Sequence, residues 1–132
     1  MTTAAAQAHA EGFGSLEERA VYMELVRRSL TPGLDFSYQS RFFGGRLEKG
    51  GLVVDFLIYN PTGLAINPVG EYYHYDQGSD QKAQDRYASA QLAAEGITLI
   101  FIDDVDIHRD VRYYVGEALQ FRDHSRMTRG IV

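Results

Sequence analysis

The chain contains no cysteine. That excludes disulfides, thiolate metal sites and a cysteine nucleophile together, and it suits an intracellular protein. The expected location is cytoplasmic. Long apolar runs are also missing. No stretch approaches the roughly 20 residues that a membrane span needs, so no membrane partner is expected. The opening "MTTAAAQAHA" lacks a basic segment followed by an apolar core, so it does not read as a signal peptide. Residues 1–14 are expected to form a flexible arm. Cations are scarce: 13 Lys and Arg stand against 18 Asp and Glu, for a net charge of −5. A chain so charged is a poor general polyanion binder, because phosphate contacts need lysine and arginine.

The charges that are present are unevenly placed. Asp103, Asp104, Asp106 and Asp110 form an acidic block. Arg41, Arg46 and Lys49 form a basic group, and Arg122, His124, Arg126 and Arg129 crowd the C-terminus. Residues 123–132 therefore read as a basic tail. The 132 residues, 45% of them hydrophobic, suffice for one domain with one core, expected over residues 15–122.

Periodicity supplies the elements. In "GSLEERAVYMELVRRSLTPG", Ser15 and Glu18 stand at capping-box spacing. Leu16, Ala20, Met23, Val26 and Leu30 recur as a helical stripe, so a helix is expected over 15–30. "DFSYQSRFF" alternates, which predicts a strand at 36–43. "LVVDFLIYN" and "LAINPVG" predict strands at 51–59 and 63–69. "SDQKAQDRYASAQLAAEG" predicts a helix at 80–95, capped by Ser79 and stopped by Gly96. "ITLIFID" predicts a strand at 97–102, and the last helix is expected at 109–121, with Val111, Tyr114, Val115, Ala118 and Leu119 inward. A helix between two strands implies a crossover with parallel pairing. The expected class is α/β, in the order αβββαβα, with a four-stranded mixed sheet flanked by helices.

Four residues invite a chemical reading. Asp55 interrupts an apolar strand. Either it points to solvent, or it faces a cleft and holds a divalent metal, since a lone buried carboxylate is costly and magnesium prefers carboxylate oxygens and water. His74 follows Glu71, Tyr72 and Tyr73 just past the third strand. It reads as a hydrogen-bonded wall residue or as a general base or phosphate contact, given an unperturbed pKa of about 6.5. Glu18 reads first as the capping acid. Asp85 reads first as a charge suited to the front half of its helix.

The stretch "DFLIYNPTGLAINPVGEYYH", followed by "DRYASAQLAAEGITLIFID", resembles the PD-(D/E)xK restriction-endonuclease-like nucleases. The flavour is that of the very-short-patch mismatch-repair endonucleases and their small bacterial and phage relatives. The resemblance spans roughly residues 15 to 120, with Glu18, Gln39, Asp85, Leu92 and Gly96 at matching places. It implies a restriction-endonuclease-like fold and a metal-dependent DNA endonuclease acting on mismatched, nicked or branched DNA with magnesium or manganese. Asp55 would be the metal-binding aspartate, the Pro68 carbonyl a second metal ligand, and His74 a catalytic residue, helped by Glu18 or Glu71. Asn67 stands where the wider superfamily has an acid, and Val69 where it has a lysine. Arg41, Arg46, Lys49 and Arg86 would contact DNA. A homodimer is expected by analogy. The alternative is a degenerate nuclease fold kept as a binding or structural module in a phage or bacterial complex.

Overall fold

The computed structural model describes residues 3–42, 52–70 and 79–129. It holds a four-stranded mixed sheet, β1 (Phe36–Phe42), β2 (Leu52–Ile58), β3 (Leu64–Val69) and β4 (Thr98–Asp103), in the spatial order β1-β2-β3-β4. β1 and β2 pair antiparallel, as do β2 and β3, whereas β3 and β4 run parallel. The helices are α1 (Ala4–Ala10), α2 (Leu16–Arg27), α3 (Ser79–Ala94), α4 (Asp104–Leu119) and α5 (Arg126–Arg129). The strands and the crossover helix α3 stand where periodicity places them. Among the described residues no helix is long and apolar enough to cross a membrane.

Two apolar layers hold the helices to the sheet. On one face Val21 and Leu25 of α2 and Val115 and Ala118 of α4 pack on Phe36, Phe56, Ile58, Leu64, Ile66, Ile100 and Ile102. On the other face Leu92 of α3 and Met127 of α5 pack with Val54, Ala65, Val69, Leu99 and Phe101. β3 and β4 contribute to both layers, which is why they read as near-continuous apolar runs.

Three expectations need correction. The apolar stripe of α2 is rotated from the one expected: Val21 and Leu25 are buried, while Met23 and Val26 are 43% and 42% exposed. The cause is Glu24, which goes inward because Arg27 and Arg28 both clasp it, at 2.6–2.8 Å. The last helix starts at Asp104 rather than near residue 109. It is two helical pieces meeting at Asp110, whose backbone is non-helical (φ −164, ψ 80). The Asp110 side chain accepts from the Tyr113 N–H at 3.1 Å, so it caps the second piece as an N-cap aspartate does. The described residues toward both ends pack on the domain. Ala4–Ala10 form α1, capped by Thr3, with Ala8 buried, and Phe13 packs its ring on Tyr22 and Tyr38. In the C-terminal segment Ser125 and Met127 are buried. Arg122 and His124 both bond Glu117, at 2.7 and 2.9 Å, so this end is not a bare basic tail.

Candidate functional site

The carboxyl end of β3 and the N-terminus of α2 border a cleft of about 340 Å³, lined by Ser15, Glu17, Glu18, Pro68, Val69, Gly70 and Asp104. The topology dictates this meeting. β3 and β4 run parallel with Val69 opposite Asp103, so their carboxyl ends open on the same edge, where ligands bind in open α/β sheets. Asp104 opens α4 directly after β4. The first turns of α2 and α4 thus both face the cleft. Their partial positive ends favour the carboxylates gathered there.

Glu18 is fixed from several sides. Its backbone N–H donates to Ser15 Oγ at 3.1 Å, as in a capping box. Its carboxylate is used differently. Oε2 accepts from Ser15 Oγ at 3.2 Å, and Oε1 accepts from the Tyr38 hydroxyl at 2.5 Å. The Tyr38 oxygen in turn accepts from the Gly14 N–H at 2.9 Å and from Gln39 Nε2 at 3.3 Å. Burial first, then the bond to Glu18, hold the Tyr38 phenol well above its ordinary pKa, and the nearby charges of Glu18 and Asp55 push the same way. Glu18 is therefore both the capping acid and a wall of the cleft.

Gln39 reaches that hydroxyl through an unusual backbone. It has φ 58 in the middle of β1, a left-handed conformation that costs about 1–2 kcal/mol for a residue with a side chain. Neighbouring side chains on a regular strand point to opposite faces, yet Gln39 and Tyr38 meet. The strand pairing is intact on either side, with Tyr38 opposite Phe56 and Ser40 opposite Val54. The irregular position therefore lies directly across from Asp55.

Asp55 is half-buried. Its charge acts on the Tyr38 phenol, but Asp55 is not among the described residues that line the cleft. Its backbone N–H donates to Asn67 Oδ1 at 2.8 Å. Asn67 is thereby occupied in holding β2 to β3, a role the sequence reading missed. Pro68 lines the cleft, as a carbonyl ligand would need to. Asp85 is half-buried and Arg86 exposed on α3, on the opposite face of the sheet from α2. Glu71, His74, Arg46 and Lys49 lie outside the described residues, as does the side chain of Arg41.

Glu17 and His108 were not singled out by sequence, and Asp104 only as one of an acidic block. Glu17 lines the cleft and bonds His108 of α4 at 2.9 Å. The signal for Asp104 was the acidic block immediately after an apolar strand. Glu17 and His108 carry no local signal, since only the packing of α2 on α4 joins them. Among the described residues no set of three His, Asp or Glu side chains is grouped closely enough to hold a metal ion. No family model, curated protein or solved structure matches the chain.

Proposed function

We propose that the chain is a metal-dependent DNA endonuclease with a restriction-endonuclease-like fold, hydrolysing phosphodiester bonds in mismatched, nicked or branched DNA. The observation that carries this reading is that Glu18 of α2 and Pro68 of β3 line one cleft at the carboxyl edge of the sheet. The order α2-β1-β2-β3-α3-β4, with β3 and β4 parallel, supports it as well.

The donors near this edge are oxygens, which suit magnesium or manganese rather than a softer ion. Asp55 and the Pro68 carbonyl would hold the cation, leaving its remaining positions to water. Bound there, it would neutralise the scissile phosphate and lower the pKa of an attacking water. The protein's share is to fix Glu18 at the cleft wall, to keep the β2–β3 edge closed through Asn67, and to offer His74 or Glu71 as a base that orients the water. Arg41, Arg46, Lys49 and Arg86 are the proposed phosphate contacts.

One observation favours a second reading, a degenerate nuclease fold that serves as a binding or structural module. Asn67 stands where the wider superfamily has an acid, and its amide oxygen already accepts from the Asp55 N–H. Calorimetric titration with manganese separates the two. Binding that Asp55→Ala abolishes supports the endonuclease. No binding at millimolar manganese supports the module.

A further inference from the structure

We propose that the outer face of α4, with the end of α2 beside it, binds an unpaired strand of nucleic acid. Arg28, Arg112 and Arg122 would take its phosphates, and Tyr113 would take one base. Neither the cleft nor a cation enters this surface, so it does not rest on the endonuclease reading. Three observations carry it.

First, the ion pairs here turn acids inward and cations outward. Arg28 bonds Glu24 at 2.8 Å, with 31% of the arginine side chain exposed against 3% of the glutamate's. Arg122 bonds Glu117 at 2.7 Å, with 58% exposed against 13%. His124 bonds the other oxygen of Glu117, at 2.9 Å. Arg112 is exposed, and its guanidinium forms no hydrogen bond or ion pair among the described residues. An acidic chain therefore presents guanidiniums on this side, held by acids that are withdrawn from solvent. Each has donors to spare. A guanidinium carries five N–H groups, of which Arg28 uses two and Arg122 one. Asp110 is exposed as well, but its Oδ1 is turned to the Tyr113 N–H.

Second, the cations are contiguous. Arg28 reaches from the end of α2 to the Arg112 carbonyl at 2.7 Å. It passes Gly116, where a Cβ would lie 2.8 Å from its guanidinium. Glu117 follows, and it gathers Arg122, His124 and, at 3.4 Å, the Tyr113 hydroxyl.

Third, an aromatic ring stands open beside them. Tyr113 is 52% exposed, yet it is held. Tyr114 lies nearly perpendicular to it with centroids 5.0 Å apart, and the His124 ring is 6.0 Å from Tyr113 and 5.7 Å from Tyr114. A fixed ring with bare surface is a platform for a base. Such rings next to backbone-tracking cations are how single strands are bound without regard to sequence. Phosphate alone would satisfy the arginines. The ring is what selects an unpaired strand, because a duplex keeps its bases inside the stack.

The test is fluorescence anisotropy of the full chain at about 50 mM salt, with a chelator present. The probes are a labelled oligothymidylate, an oligouridylate and a DNA duplex, each of about 16 nucleotides per strand. The parent is expected to bind a single strand more tightly than the duplex, and the tighter of the two single strands tells DNA from RNA. Tyr113→Ala is expected to weaken that binding about 5-fold or more, the low end of what one stacked base supplies, while Tyr113→Phe retains it. Arg112→Gln is expected to flatten the slope of log affinity against log salt by about 0.7, the share of one phosphate on a single strand. Arg19→Gln, at the other end of α2 and bonded to Glu11, is the control and should match the parent. No binding of either single strand by the parent, a duplex bound equally well, or Tyr113→Ala equal to the parent would each overturn the inference. The chelator keeps metal out of the measurement, so such a failure leaves the endonuclease reading standing.

Discussion

The side-chain oxygen of Asn67 accepts a hydrogen bond from the backbone N–H of Asp55, across β2 and β3, at 2.8 Å. The backbone pairing of these strands ends at Phe56 and Ile66. The position after Asn67 is Pro68, which has no N–H to offer a neighbouring strand. The amide side chain therefore replaces a missing rung and keeps the strand carrying Asp55 against the strand that ends at the cleft.

Removing that rung is expected to destabilise the fold by about 1–3 kcal/mol, the cost of leaving a partly buried N–H unpaired. Asn67→Ala should show this in chemical denaturation. Asn67→Asp retains an oxygen for the Asp55 N–H and adds a carboxylate charge, which the proposed endonuclease reading would use at this position. It is expected to fold and to bind manganese more tightly than the parent by calorimetry. Unchanged affinity in a folded Asn67→Asp would mean that this position does not face the cation.

Glu24 should make stability depend on pH. The Arg27 bond foremost, then Arg28, hold its carboxyl below the ordinary 4.5, against the opposing effect of burial. A depressed folded-state pKa stabilises the fold above the ordinary value, and that contribution is lost as pH falls through the folded value. Glu24→Gln should therefore cost about 1–3 kcal/mol at pH 7. The gap between parent and variant should close as the medium is acidified below pH 4.5. A gap that stays constant down to pH 3 would contradict the ion-pair account.

Gly63 should tolerate no side chain. It has φ 78, and a Cβ built there would lie 2.9 Å from the Gly96 carbonyl oxygen. Its own carbonyl accepts from the Thr98 N–H at 2.8 Å, at the start of the β3–β4 pairing. The left-handed backbone alone makes Gly63→Ala cost about 1–2 kcal/mol, and the contact with backbone adds to it. A melting temperature within a degree of the parent would rule this out.

The C-terminal segment should act as a clasp on the outer edge of β4. Asp123 accepts from the Phe101 N–H and the Ser125 N–H, both at 2.8 Å, and Asp103 accepts from the Arg126 N–H at 2.9 Å. Asp123→Ala is expected to raise hydrogen exchange at Phe101 and through 122–129, while β2 stays protected. Exchange raised evenly across the sheet would instead mean global destabilisation.

The strands were legible because their signals are local. β2, β3 and β4 are apolar runs bounded by turn residues, and the burial of β3 and β4 on both faces explains their composition. The orientation of α2 was not legible. Met23 and Val26 fit the helical period as well as Val21 and Leu25 do, and only the clasp of Arg27 and Arg28 on Glu24 selects the second stripe. The early start of α4 was hidden because its first piece is acidic, with Asp104, Asp106 and Asp110, and breaks at Asp110. Of the site, the order of elements could place Glu18 at the rim, and only the family resemblance pointed to Pro68. The partnership of Glu18 with Tyr38 and of Asp55 with Asn67 could not be read, because each depends on strand register and on the irregular backbone at Gln39.

The central claim is that Asp55 anchors a cation for phosphodiester hydrolysis, and cleavage tests it most directly. Purified parent protein and Asp55→Asn would be incubated with supercoiled plasmid, a mismatched duplex and a four-way junction, with magnesium or manganese. The predicted result is slow, metal-dependent cleavage of at least one substrate by the parent. It should be faster with manganese, because a site lacking the third-strand acid serves a hard, tightly hydrated cation poorly, and Asp55→Asn should abolish it. Cleavage that survives in Asp55→Asn, or no cleavage of any substrate with either metal, would contradict the account.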